Sequence, residues 1–232
     1  MKESLNTSEV VNHHPVIPWH QVQTIMLDMD GTILDLAYDS HFWLEYMPRA
    51  FAAANQIEIE EAKQQLRPIF EHWYGTLNWY CVEFWTNEVG LDIMQLKADL
   101  RDNIRYRPAS ETFLQQCRSH TDNTWLVTNA HRKVLQLKHQ QTRVCDYFSV
   151  AVCSHELAYP KENPRFWEAL QKSHAFDPDS TLFIDDSDPV LKAAAAYGIK
   201  HLYSIKSPDS ILGRAKDSDF PMIECFSKVL PD

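Results

Sequence analysis

The stretch Val22 to Thr32, reading V-Q-T-I-M-L-D-M-D-G-T, constrains the fold more than any other. Val22, Ile25, Met26 and Leu27 form a short apolar run without Gly or Pro, which predicts a buried parallel strand. The run leads straight into Asp28, Met29, Asp30, Gly31 and Thr32. Side chains alternate along extended chain, so Asp28 and Asp30 share one side and Met29 points back. Two carboxylates on one face of a strand end repel each other and are costly to desolvate, and a cation offsets that cost. Gly31 lets the backbone turn sharply after them. Alone, D-x-D-G also describes an acidic turn capping a helix. The strand before it and the motifs after it set this copy apart.

Residues 1–21 are polar, carry Pro15 and Pro18, and are expected to form a loose leader with His13 and His14 in solvent. The next convincing buried strand is 124–127, leading into Thr128, 96 positions after Thr32. A strand–helix–strand unit needs only about 30 residues or somewhat more. The surplus suits a helical domain inserted at 34–106. Four helices are expected there. The first is capped by Asp39 and carries Phe42, Trp43, Tyr46 and Phe51. The second covers 58–74, with Leu66, Ile69, Phe70 and Trp73 on one stripe and a kink at Pro68. The third is capped by Asn78 and closed by Gly90, and the fourth is capped by Asp92.

Beyond the insert the pattern reads helix 108–120, strand 124–128, helix 131–141, strand 148–153, helix 163–174, strand 181–184, helix 187–197 and a weak strand 200–203. Alternating strands and helices predict an α/β fold with a parallel sheet covered on both faces, built from 22–33 and 107–232. Ligands bind such sheets at the carboxyl ends of the strands. Every acidic motif here falls at such an end.

Composition narrows the partners. A formal net charge of −10 argues against broad binding to nucleic acid or anionic membrane, though a small anion can still sit in a local positive pocket. No apolar run approaches the roughly 20 residues of a membrane span, and no signal-peptide pattern is visible. Five scattered cysteines without C-x-x-C spacing fit free thiols in a reducing cytoplasm. No glycine pattern of the dinucleotide or P-loop type occurs, so a phosphate site needs other donors. Nothing in the pattern specifies an oligomeric state.

Four sites follow one another at loop and strand ends: Asp28 with Asp30; Thr128 with Asn129; Lys161 in A-Y-P-K-E; and Asp185 with Asp186. Each alone has an ordinary reading, as a turn, a surface lysine or a helix cap. In this order they resemble the four motifs of the haloacid-dehalogenase-like hydrolase superfamily, over nearly all of the chain after residue 21. The resemblance implies a modified Rossmann-like core in which the first strand lies between the second and fourth. It also implies that 34–106 is a helical cap that closes over the site.

The resemblance implies a role for each residue. Asp28 is the nucleophile that forms an aspartyl-phosphate, and Asp30 is the acid and base for the leaving oxygen and the hydrolytic water. Thr128, Asn129 and Lys161 hold the phosphate. Mg²⁺ suits an all-oxygen site, with Asp28, the Asp30 carbonyl and Asp186 as ligands and Asp185 supporting or sharing that role. Many relatives carry G-D-x-x-x-D at the fourth motif. Here Asp185 replaces the Gly and Val190 stands in place of the later Asp. Which of Asp185 and Asp186 meets the metal stays open, with Asp186 favoured.

The segments T-L-N-W-Y-C, Y-P-K-E and F-I-D-D-S resemble the bacterial GMP/IMP nucleotidases of that superfamily. This implies a phosphomonoester substrate, a purine ribonucleoside 5′-monophosphate, with Trp79 and Tyr80 in the segment facing the base. Other cap aromatics are expected to fill the insert's own core. The alternatives are a sugar-phosphate phosphatase or phosphomutase of the same fold and a non-catalytic binding module. A haloacid dehalogenase needs no leaving-group acid, so Asp30 argues against it.

Overall fold

The computed structural model describes residues 15–213 and 217–231. Its centre is a parallel sheet of six strands in the order β3-β2-β1-β4-β5-β6. The strands are β1 (Thr24–Leu27), β2 (Thr124–Thr128), β3 (Val150–Cys153), β4 (Thr181–Asp185), β5 (His201–Ile205) and β6 (Met222–Ile223). All positions of β1, β2, β4 and β5 are buried, as expected of a sheet covered on both faces. Alternation sorts the side chains. Ile25, Leu27, Leu126, Leu182 and Ile184 face one layer with Phe113 and Leu114 of α6 (Ser110–His120) and Leu135 of α7 (Arg132–Thr142). Met26, Trp125, Val127 and Phe183 face the other, with Phe166 and Trp167 of α8 (Pro164–Ser173) and Leu191 of α9 (Asp188–Tyr197).

Five helices lie between β1 and α6: α1 (Ala37–His41), α2 (Met47–Asn55), α3 (Ile59–Trp73), α4 (Val82–Val89) and α5 (Ile93–Asp99). A turn of π-helix over Phe42–Tyr46 joins the first two. Phe42, Met47, Leu66, Val82, Trp85 and Ile93 form the insert's own apolar cluster, which Val134 of α7 joins from below. The expected aromatic filling is therefore present.

Several details differ from the expectations. Asp39 does not cap the first helix; it lies inside α1, and its carboxylate points to two lysines. Asn78 caps nothing: Thr76 caps a 3₁₀ turn at Leu77–Tyr80, and the Cys81 sulfur accepts from Phe84 N–H to cap α4. The helix α3 continues past Pro68. Residues 1–14, with His13 and His14, lie outside the described residues. The rest of the expected leader is not loose, because Ile17 and Trp19 are buried and Trp19 packs on Phe113. Strand β6 was not anticipated; two residues carry too little pattern to read. Asp92 does cap α5, accepting from Gln95 N–H at 3.0 Å.

Candidate active site

Register brings the motifs together. Leu27 pairs with Leu126 on one side and with Ile184 on the other. The next residues, Asp28, Val127 to Thr128, and Asp185, therefore leave the sheet side by side. Asp28 N–H still donates to Ile184 O at 3.0 Å. Asp28, Asp185 and Asp186 each offer a carboxylate oxygen, all within 4.8 Å of one another.

Lys161 stands among them. Its Nζ donates to Asp28 Oδ1 at 2.5 Å, Asp185 Oδ2 at 2.6 Å and Val127 O at 3.0 Å, which engages all three protons of a group that is 2% exposed. The loop is fixed by Asn129, whose Oδ1 accepts from Lys161 N–H at 2.9 Å, and by Trp167, whose Nε1 donates to Lys161 O. Burial pushes the Asp28 carboxyl up, to about 6, against the pull of Lys161. Burial also raises Asp185. The second oxygen of Asp185 accepts from Ser187 N–H at 2.8 Å, so both of its oxygens are engaged.

Gly31 closes the other side. Its φ is +83°, and a Cβ there would come within 2.5 Å of Asp186 Oδ2 and 3.1 Å of Pro208 Cβ. The glycine is required both for the turn and for the approach of Asp186. Arg107 braces the same turn by donating to Thr32 O at 3.0 Å and Ser207 O at 3.2 Å.

Asp30 is turned to a different cation. Lys138 Nζ donates to Asp30 Oδ1 at 2.5 Å and to Asp39 Oδ2 at 2.5 Å. Lys97 Nζ donates to Asp39 Oδ1 at 3.0 Å and lies 4.1 Å from the centre of the Phe42 ring. The result is an alternating chain, Asp30–Lys138–Asp39–Lys97, with both lysines buried. Burial raises Asp30 to about 6, beyond what Lys138 pulls back. At Asp39 the upward push of burial is outweighed by Lys138 and Lys97, which hold it near 2.

Sequence reasoning missed this chain and one further group, Glu162. Glu162 accepts from Tyr80 O–H at 2.6 Å and from Asn129 Nδ2 at 3.0 Å, so it joins the insert to the second motif. One signal was available. Lys138 interrupts the buried stripe of Val134, Leu135 and Leu137 on α7, and a lysine in a stripe of that kind needs a buried counter-ion.

The site residues nominated from sequence, Asp28, Asp30, Thr128, Asn129, Lys161, Asp185, Asp186, Trp79 and Tyr80, all line one cavity of about 400 Å³. Carboxylates and Lys161 form its floor. Its upper wall is aromatic: Trp79 stacks on Trp43 at 6.0 Å with 23° between planes, beside Phe70 and Tyr74. Tyr80 also lines the cavity, with its hydroxyl engaged by Glu162. Thr128 Oγ1 accepts from Ala130 N–H at 3.0 Å, which directs its own proton elsewhere.

A family model for haloacid dehalogenase-like hydrolases matches residues 22–198. The chain belongs to that family. This hydrolase is 33% identical over 218 residues to the GMP/IMP nucleotidase YrfG of Escherichia coli, covering 94% of the chain and 98% of the relative. The Shigella flexneri protein of the same name matches equally. Among solved structures, a HAD phosphatase from Thermococcus onnurineus superposes with a TM-score of 0.71 at 18% identity, over 89% of this chain and 95% of that one. The Bacillus subtilis HAD-hydrolase YfnB, solved bound to magnesium, gives 0.63 at 15% identity, over 89% and 96%. These two show that the hydrolase has the family fold, with the sheet order expected of it. Among its described residues no helix is long and apolar enough to cross a membrane.

Proposed function

We propose that this hydrolase is a phosphomonoesterase that acts through Asp28 and takes purine ribonucleoside 5′-monophosphates. The observation that carries the reading is the cavity itself, with nucleophile, acid and cation at the floor and stacked indoles above. The 33% identity to a GMP/IMP nucleotidase supports the choice of base.

An Asp28 oxygen attacks phosphorus, the ester oxygen leaves, and an aspartyl-phosphate remains. Asp30 gives its proton to the leaving oxygen, then takes one from the water that hydrolyses the acyl phosphate. A carboxyl raised to about 6 keeps a proton available near neutrality. The Thr128 hydroxyl and the Asn129 backbone N–H donate to phosphate oxygens. Lys161 holds Asp28 in place and offsets the charge of the phosphate. The three-carboxylate cluster fits a hard divalent cation, and the Gly31 turn leaves room for Asp186 to reach it. Mg²⁺ held by Asp28, Asp186 and the Asp30 carbonyl would supply positive charge against the phosphate. Both Asp185 oxygens are already bonded, to Lys161 Nζ and Ser187 N–H, which argues against Asp185 as the direct ligand.

Three tests follow. A phosphate-release screen over GMP, IMP, AMP, sugar phosphates and p-nitrophenyl phosphate should rank purine nucleotides first; a preference for sugar phosphates overturns the substrate assignment. Trp79→Ala should lower kcat/KM for GMP and IMP by about tenfold to a hundredfold, the value of one stacked base, and spare p-nitrophenyl phosphate. An equal loss on both substrates, with a lower Tm, would assign Trp79 to packing alone.

Exhaustive chelation should remove activity and Mg²⁺ restore it, with Asp186→Asn raising the Mg²⁺ requirement more than Asp185→Asn. Full activity in metal-free buffer sinks the metal assignment. Asp30→Asn should cost about a hundredfold or more on nucleotides and far less on an activated aryl phosphate, whose leaving group needs no proton. Uniform loss would remove Asp30 from acid catalysis.

A further inference from the structure

A second cluster of ligand-type side chains lies at the rim of the cavity, where the insert meets the core. Cys81 precedes α4, Glu83 is in its first turn, and His131 is the N-cap of α7. Cys81 Sγ, a Glu83 carboxylate oxygen and a His131 ring nitrogen all lie within 4.8 Å of one another. We propose that Cys81, Glu83 and His131 form a Zn²⁺ site that ties the inserted helices to the core.

The donor set is one thiolate, one imidazole and one carboxylate. That mixture suits zinc and does not suit Mg²⁺, which prefers oxygen alone. The spacing also fits. Tetrahedral zinc with ordinary bond lengths places sulfur and oxygen ligands about 3.6 Å apart, and nitrogen and oxygen about 3.4 Å apart. Here Cys81 Sγ is 3.8 Å from Glu83 Oε2, and His131 Nε2 is 3.1 Å from the same oxygen. The other Glu83 oxygen is held by Lys133 Nζ at 2.6 Å, which orients the carboxylate and leaves Oε2 to the site.

A second imidazole flanks the cluster. His155 stands edge-on to His131, with ring centroids 4.9 Å apart. The three side chains leave the fourth tetrahedral position to water. On binding, Cys81 releases its thiol proton to solvent. The His131 proton moves to Nδ1, and the long 3.4 Å bond that Nδ1 accepts from Lys133 N–H is given up. That cap is weak, so the exchange is small. All three ligands are partly exposed, so the ion has a path in.

The test uses the whole protein with Mg²⁺ in excess to fill the carboxylate cluster. Co²⁺ is titrated in as a coloured stand-in for zinc. One equivalent should bind with a thiolate-to-cobalt charge-transfer band, and Zn²⁺ should displace it stoichiometrically. Cys81→Ser should abolish the band, whereas Cys225→Ser should leave it unchanged. Glu83→Gln, a change at a side chain already half in solvent, should weaken cobalt binding at least tenfold without altering the apo Tm. Absence of the band in the wild type, its survival in Cys81→Ser, or undiminished affinity in Glu83→Gln would each overturn the proposal. None of these readouts depends on which phosphoester the enzyme cleaves.

Discussion

Asp28→Asn is expected to abolish turnover while the fold survives. The amide keeps an oxygen where Asp28 Oδ1 now accepts from Lys161 Nζ at 2.5 Å, so the bond that positions the side chain remains. What is lost is the charge that makes the second oxygen a nucleophile. Removing a covalent nucleophile costs at least about a thousandfold in turnover. The substitution also removes one of three carboxylates crowded within 4.8 Å, so the melting temperature should hold or rise. A variant retaining a tenth of wild-type phosphate release in a single turnover would place the nucleophile elsewhere. An inactive variant with a collapsed melting curve would show that Asp28 is structural.

Lys161→Met carries the second large effect, on stability as well as rate. Lys161 is the cation between Asp28 and Asp185, and both carboxylates are buried. Removing one partner of a buried ion pair costs about 3–5 kcal/mol, because the remaining charge has no compensation. The deficit depends on pH in a defined direction. Burial already raises Asp28 to about 6 and raises Asp185 with the lysine in place. Without it both rise further, so the folded variant binds more protons than the unfolded chain. Folding of the variant therefore strengthens as pH falls. In chelator, the gap in unfolding free energy between wild type and variant should be widest at alkaline pH and narrow as pH falls towards about 6, below which Asp28 is protonated in both. Turnover should fall at least a hundredfold, on the order of losing one preorganised charge. A gap independent of pH would show that the loss comes from packing of the lysine stem.

The parts of this molecule that were legible in sequence are those written locally. Strands β1, β2 and β4 announce themselves because a sheet buried on both faces needs unbroken apolar runs, and their terminal acids follow directly in the chain. A cap such as Asp92 is equally local. What stayed hidden depends on partners far apart. Lys138 meets Asp39 across 99 residues and Asp30 across 108, and Tyr80 meets Glu162 across 82. No spacing rule reaches that far, and an acidic residue in a helix looks like surface until a lysine is found beneath it. Asp39 was misread as a cap for that reason. Ile17 and Trp19 were misread because two prolines nearby suggest open chain, whereas the fold offers Trp19 a contact on Phe113.

The chain of alternating charge from Asp30 to Lys97 has a consequence for recombining parts between relatives. It crosses from sheet to insert along the cavity wall, so the two halves are matched in sign as well as in shape. A transplanted insert lacking an acid at position 39 would leave Lys138 one counter-ion in place of two. One supplying the acid without Lys97 would shift the balance the other way, towards the carboxylate assigned to proton transfer. Chimeras that exchange only the pocket-facing aromatics keep this wiring intact. Those that exchange whole helices inherit a compatibility requirement set through Lys138, which itself lies outside the cavity lining.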